Sequence, residues 1–292
     1  MNIIQVFNRF KTQQDCIAYL EKVRWNDEPT CPYCGSKNDT PLPKEQRHHC
    51  NNCNTSYSVT VGTIFHRTHL PLQKWFLALS LILNAKKGIA ARQLARDLEV
   101  HRNTAWRISM KIREAMTQRV QRELLTGVVE MDETFIGPRK PRRKHKDDKF
   151  VGGSGSTKQP VVGMVERGGN VVAKMVGKRD LKSRKLNLMI RDNVDTKNSI
   201  LFTDQYRGYC HVSKFMHHRT VNHSVWYVAP DGTHTNNIES FWALLKRGIT
   251  GQYHQVSRKH LPKYIDEFCY RHNNRKSADL FGLTLQRGLG VA

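Results

Sequence analysis

Two Cys-x-x-Cys pairs, Cys31-Pro-Tyr-Cys34 and Cys50-Asn-Asn-Cys53, stand fifteen residues apart and restrict the fold of this chain more than any other feature. Paired knuckles at that separation let four thiolates close a tetrahedron around one Zn²⁺, and the polar stretch between them cannot hold itself together without metal. Gly35 permits the tight turn of the first knuckle. The alternative, two disulfides, belongs to an oxidising compartment. The first ten residues are too short and too polar for a secretory signal, and no apolar run approaches 18 residues. The expectation is a cytoplasmic protein with no membrane segment. One structural Zn²⁺ is assigned to Cys31, Cys34, Cys50 and Cys53, and Cys16, Cys210 and Cys269 are left as buried thiols. Asp15 to Trp25 reads as a short helix ahead of this module, and the alternating, β-branched run from Tyr57 to Phe65 is expected to complete its small sheet.

From Pro71 the periodicity becomes helical. Trp75, Leu77, Ala78, Leu81 and Ile82 mark one helix, Gly88 breaks it, and Ala91 to Leu98 marks a second, short one. A four-residue turn, Glu99 to Arg102, leads through Asn103 as N-cap into a helix from Thr104 to Arg113. Two short helices joined by a tight turn, the second rich in cations, form a helix-turn-helix pattern. An ordinary helical hairpin with solvated charges is the alternative. Arg102, Asn103, Arg107 and Lys111 are the candidates to face DNA, since arginine and asparagine are the usual readers of guanine and adenine edges. Charge points the same way: 48 Lys+Arg against 25 Asp+Glu leave a formal charge of +23, which calls for a polyanionic partner without naming it.

Beyond Gly127 the pattern turns α/β. Val128 to Ile136 is a strand, Pro160 to Glu166 and Asn170 to Gly177 form a hairpin turning at Gly168-Gly169, Ser183 to Asp192 is a helix, and Ser199 to Asp204 is a buried strand. Val221 to Val228 is expected as the last strand, and Lys263 to His272 as a closing helix. Between the first two strands a basic, Gly/Ser-rich segment carries Lys140, Arg142, Arg143, Lys144 and Lys146. These residues suit tracking of phosphates, a solvated loop or a localisation patch alike.

The stretch from Thr233 to Gly248 is the most informative in this half. Ile238, Phe241, Trp242 and Leu245 fall at i, i+3, i+4 and i+7, one buried helical face, and Gly248 is placed to stop the helix. Glu239 and Lys246 lie nearly two turns apart beside that stripe, about 10 Å along the axis. They read either as a carboxylate and a cation presented together, or as a capping box of Asn236 with Glu239 beside a solvated lysine. The order β-β-β-α-β-(β)-α describes an RNase H-like fold when it carries Asp132 in its first strand, Asp204 ending its fourth and Glu239 on the later helix. Three carboxylates on three elements can cradle the two Mg²⁺ or Mn²⁺ ions, about 4 Å apart, that assist in-line attack on a phosphodiester. Glu130 and Glu133 compete with Asp132 on its strand, and Asp204 can instead cap the turn into Tyr206-Arg-Gly208.

These motifs resemble the zinc-ribbon DDE transposases of bacterial insertion sequences, insertion-sequence family 1595 with its ISXO-like catalytic domain. The matching stretches run nearly end to end: Arg24-Trp25 before Cys31-Pro-Tyr-Cys-Gly35, Gly62-Thr-Ile-Phe65, the helix-turn-helix, Glu130-Met-Asp-Glu-Thr134, Thr203-Asp204, and His234-Thr-Asn-Asn-Ile-Glu-Ser-Phe-Trp242 through Lys246-Arg247. Some relatives have Asn or His where this chain has Glu239, and the segment from Arg139 to Gln159 is the least familiar. The resemblance implies three parts: an N-terminal helix with zinc ribbon (1–66), an all-α helix-turn-helix (67–125) and an α/β RNase H-like catalytic domain with a mixed sheet (126–292). It also implies Asp132, Asp204 and Glu239 as ligands of two Mg²⁺ or Mn²⁺ ions. Lys246, with Arg247 beside it, would hold a DNA phosphate. The activity implied is hydrolysis at the element's end to free a 3′-OH, which then attacks target DNA, by a nucleoid-associated homodimer or higher assembly on double-stranded DNA. A DNA-binding regulator with an inactive α/β domain, and a nuclease or resolvase that cuts without joining, are the competing readings.

Overall fold

The computed structural model describes residues 1–117, 123–137, 158–222 and 225–291. The chain divides into two compact units, Met1–Gln118 with Lys276–Ala292, and Arg119–Arg275. Among the described residues no helix is long and apolar enough to cross a membrane.

The first unit begins with α1 (Ile3–Arg9) and α2 (Gln13–Trp25). Thr12 starts α2 through a capping box with Asp15, and Asn26 ends it in the left-handed region at φ 47°. A three-stranded antiparallel sheet of β1 (Asp39–Leu42), β2 (Arg47–Cys50) and β3 (Thr55–Tyr57) follows. The ribbon's last strand is therefore much shorter than the alternation from Tyr57 to Phe65 leads one to expect. The reason is visible in the backbone. Arg24 Nη1 donates to the carbonyls of Val59 and Val61 at 2.6 and 2.8 Å, in place of a ladder partner, and Gly62 turns the chain at φ +75°. His48 on β2 links the sheet to α2, lying 2.7 Å from Asp39 and 3.1 Å from Glu21.

Three helices complete the order: α3 (Leu72–Asn84), α4 (Ala91–Asp97) and α5 (Arg102–Met116). The N-cap of α5 is His101, whose ring accepts from the Asn103 amide at 3.3 Å, so Asn103 lies inside the helix instead of capping it. Glu99 takes φ 51° in the turn, and the Val100 amide bonds back to Ala95 at 3.0 Å, which keeps the α4–α5 connection tight.

The second unit is an α/β layer: β4 (Leu125–Ile136), β5 (Gln159–Glu166), β6 (Val171–Met175), α6 (Ser183–Asn193), β7 (Val194–Asp204), β8 (His217–Val221), α7 (Asn236–Arg247) and α8 (Leu261–Asn273). The sheet order is β6-β5-β4-β7-β8. β4, β5 and β6 are antiparallel neighbours, while β4–β7 and β7–β8 are parallel. This mixed five-stranded sheet has the topology set out above for an RNase H-like domain. One face packs Val129, Met131, Met164, Leu186, Ile190 and Leu201 into a core under α6. The last strand runs from His217 to Val221, ahead of the Val221–Val228 segment expected for it.

A final helix, α9 (Leu280–Leu289), belongs to the first unit, whereas the sequence reading ran the α/β part to residue 292. Its Phe281 ring meets Phe76 of α3 at 5.7 Å and Phe10 at 6.5 Å, and Gly288 accepts the Ile64 amide at 3.0 Å. An aromatic cluster from three separate stretches closes this unit.

Candidate active site and zinc module

The four cysteine sulfurs lie within 4.8 Å of one another, with Cys31–Cys53 at 3.7 Å and Cys34–Cys50 at 3.6 Å. A tetrahedron of Zn–S bonds of about 2.3 Å has edges of about 3.8 Å, so this thiol set fits one Zn²⁺ with no open position. The first knuckle is closed by the Gly35 amide donating to Cys31 and the Cys31 amide donating to Ser36, both at 2.9 Å. Gly35 sits at φ +73°, as the turn requires.

The carboxylates are gathered differently. β4 and β7 run parallel with Glu130 opposite Phe202. Two residues further along both strands stand Asp132 and Asp204, which places them side by side at neighbouring strand positions. Asp132 pairs across β5 with Gly163, and a Cβ on Gly163 would meet the Trp242 ring at 2.5 Å. The missing side chain lets Trp242 of α7 lie over the sheet, where its Nε1 donates to Asp132 at 3.1 Å. Trp242 is 3 % exposed and stands three residues after Glu239, so its burial fixes the rotation of α7 and turns Glu239 toward the two aspartates. The Thr235 hydroxyl donates to Glu239 at 3.0 Å, and the Tyr206 amide donates to Asp204 at 3.0 Å.

Asp132 has its pKa pushed up to about 6. Burial is the main cause, and repulsion from Asp204 and Glu239 adds to it, against the Glu133 amide and the Trp242 donor. That repulsion is the electrostatic signature of three acids sharing one place. Among the described residues only the four thiols lie as close together as a single ion's shell requires. Lys246 is exposed overall, but its ammonium is partly desolvated. Its pKa is lowered by that burial and by Lys158, against the pull of Asp132. A cation therefore stands at the edge of the acidic cluster.

The two rivals of Asp132 have other tasks. Glu130, 0 % exposed, accepts from the Asn237 and Ile238 amides at 2.8 and 3.2 Å, from Asn237 Nδ2 at 2.7 Å and from Arg167 Nε at 2.8 Å, with His234 at 3.3 Å. It caps α7 from the sheet. The local capping box is thereby ruled out: Thr235 is the N-cap, Asn236 is already helical, and its Oδ1 is buried with no hydrogen-bond partner. Nor does Gly248 stop the helix, since it keeps helical angles and opens a π turn, Gly248–Gln252. Glu133 points to the opposite face of β4, toward the buried Tyr209, and burial followed by Asp132 and Asp204 pushes its pKa up to about 8.

The remaining assigned residues are not all brought together. Arg102, Asn103, Arg107 and Lys111 share the exposed side of α5, opposite buried Ala105, Ile108 and Ile112. Trp106, 40 % exposed on that same side, was missed by sequence reasoning, although its position between Asn103 and Arg107 signals it. Arg247 is exposed and donates to its own helix at the Ala243 carbonyl. Arg142, Arg143 and Lys144, with Lys140 and Lys146, lie outside the described residues.

Comparison with known proteins adds the family. A model of the ISXO2-like transposase domain matches residues 124–273, and a transposase zinc-ribbon domain matches residues 11–56. An uncharacterized protein in transposable element ISH50 of Halobacterium salinarum is 26% identical over 276 residues, covering 90% of this chain and 91% of its own. Among solved structures, a pre-cleavage Mos1 transpososome matches at 12% identity over 99% of this chain and 95% of that one, with a TM-score of 0.29. A Mos1 transposase paired-end complex matches at 12% identity over 73% and 78%, also with a TM-score of 0.29. Likeness that loose adds nothing to the strand order seen directly. The family model spans half of the 292 residues, and the chain belongs to the ISXO2-like transposase family.

Proposed function

We propose that this protein binds the ends of an insertion sequence, cuts a phosphodiester there and joins the freed 3′-OH to target DNA. The observation that carries this reading is the convergence of Asp132, Asp204 and Glu239 from two strands and a helix, with the pKa of Asp132 raised and Lys246 at the edge. Mg²⁺ or Mn²⁺ bound there would supply Lewis acidity to the scissile phosphate. The protein's part is to hold the three carboxylates at fixed positions, with Trp242 orienting Asp132, and to offer Lys246 as a point charge to an adjoining phosphate. The exposed Arg102, Asn103, Arg107 and Lys111 of α5 would contact the duplex, and two copies would be needed to bring two ends together.

The test uses the flanking inverted repeats as substrate. Asp132→Ala, Asp204→Ala and Glu239→Ala should each lower Mn²⁺-dependent cleavage by about a thousandfold or more while leaving end binding intact, since each removes a ligand for the ions that drive in-line attack. Glu239→Gln should fail as well, because glutamine is a poor Mg²⁺ ligand. An active Glu239→Gln enzyme would remove that residue from the metal site. Cleavage without any joined product would make the protein a nuclease.

A further inference from the structure

Val225, Trp226, Tyr227 and Val228 form a run of four consecutive apolar residues that are 63, 50, 70 and 43 % exposed. Isolated exposed apolar residues are ordinary, but four in succession with two aromatic rings mark a surface that something covers. Neither ring has a stacking, hydrogen-bond or ionic partner among the described residues, in contrast to Trp25, Trp75 and Trp242, which are all buried.

Where this run sits narrows what covers it. β8 ends at Val221, which pairs with Asp204 at the end of β7, so both strands stop at one edge of the sheet. The Asn222 carbonyl, next to that strand end, accepts from the amides of Val225 and Trp226 at 3.0 and 2.9 Å. On the far side the Ala229 amide donates to Thr233, the Gly232 amide to Ala229, and Arg219 of β8 pairs with Asp231 at 3.4 Å. Two residues later Thr235 holds Glu239. The four apolar residues are thus strapped between the strand end carrying one acidic residue and the helix carrying another.

The charge around them favours nucleic acid over a second copy of this chain. Residues 205–234 contain Arg207, Lys214 and Arg219 against the single acid Asp231, and a partner copy would bring its own charge of +23. Trp226 Nε1–H and Tyr227 O–H can each donate one hydrogen bond to a phosphate, but the wide apolar faces of the two rings match only the face of a base. Bases expose their faces only where the duplex stack is opened. We infer that Trp226 and Tyr227 stack on unpaired bases beside the scissile phosphate. This deepens the reading of the carboxylate site and rests on it.

The experiment uses the full-length chain and inverted-repeat duplexes carrying 2-aminopurine next to the cleavage position, either fully paired or mismatched at that position. Without divalent metal, binding of the paired duplex should raise 2-aminopurine emission when the base leaves the stack, or quench it against an indole. The double variant Trp226→Ala/Tyr227→Ala should abolish that change. With Mn²⁺, the variant should cut the paired end about tenfold or more slower than wild type, yet cut the mismatched end within about threefold of it, because stacking on the loop is no longer needed to hold the strand open. Equal cleavage of the paired end by both proteins would overturn the inference, as would an equal loss on both substrates. A loss that tracks a shift from dimer to monomer in sedimentation would do the same and assign the loop to a protein contact. If wild type cuts neither duplex, the proposed activity fails, and the metal-free fluorescence still decides whether the loop stacks on bases.

Discussion

Four cysteine sulfurs drawn from residues 31–53 lie within 4.8 Å of one another, whereas Asp132, Asp204 and Glu239 span residues 132–239 and are gathered by two strands and a helix. The thiol site is local in sequence and sits in a module with three short strands, so a bound Zn²⁺ would supply the folding energy that its own core lacks. The acidic site is imposed by an α/β unit with a sizeable core, and that core bears the cost of burying a carboxylate and, after that, of holding like charges near it, as the raised pKa of Asp132 records. The thiols are spaced for a single ion; the acids are held in place by the fold at an electrostatic penalty.

The sharpest way to break this contrast is to remove zinc. Cys31→Ser or Cys53→Ser, or a strong chelator, should release one Zn²⁺ per chain and unfold the ribbon, since structural zinc contributes about 10–16 kcal/mol to such modules. The α/β unit should keep its cooperative melt. Elemental analysis with calorimetry checks both halves, and freshly purified protein without zinc would end the idea.

A smaller effect separates two acids at the start of α7. Glu130 accepts four hydrogen bonds there, and Glu130→Ala would leave Arg167 and two helix amides without their acceptor, costing about 3–5 kcal/mol. Glu239→Ala removes a repelling charge, so in metal-free protein it should be neutral or mildly stabilising. Urea titration should show a clear loss of stability for Glu130→Ala and none for Glu239→Ala, with zinc content unchanged in both. Equal destabilisation would mean that Glu239 is a structural residue like Glu130.

How much of this was legible follows from the distance between partners. The thiol spacing and the apolar stripe of α7 are local patterns, and both are read correctly along the chain. The cap of α7 is not, because its acceptor lies 107 residues upstream and only the nearby Asn236 presents itself. β8 hides for another reason. It is an edge strand of His217, His218, Arg219, Thr220 and Val221, paired on one side only, so it needs no apolar run. The hydrophobic segment just after it therefore looks more like a strand than the strand does. α9 has a plain apolar face, but nothing in its own residues says that this face meets Phe10 and Phe76.

The finest probe of the penalty at the acidic site is pH. Glu133 faces Tyr209 behind Asp132, and burial, then Asp132 and Asp204, raise its pKa from 4.5 to about 8. A raised acid binds its proton more tightly in the folded chain than in the unfolded one, so stability falls as pH increases. Its contribution is fully present below about pH 4.5 and is lost as the pH rises through about 8. Glu133→Gln keeps the shape and removes the titration. In protein free of Mg²⁺ and Mn²⁺, wild type and variant should have similar urea midpoints at pH 5. By pH 9 the variant should be the more stable by roughly 2–4 kcal/mol, after allowance for the part of the shift that solvent screens. Curves that stay parallel from pH 5 to pH 9 would show that Glu133 ionises without cost. The fold would then hold its acids without strain, and the contrast with the zinc module would rest on Asp132 alone.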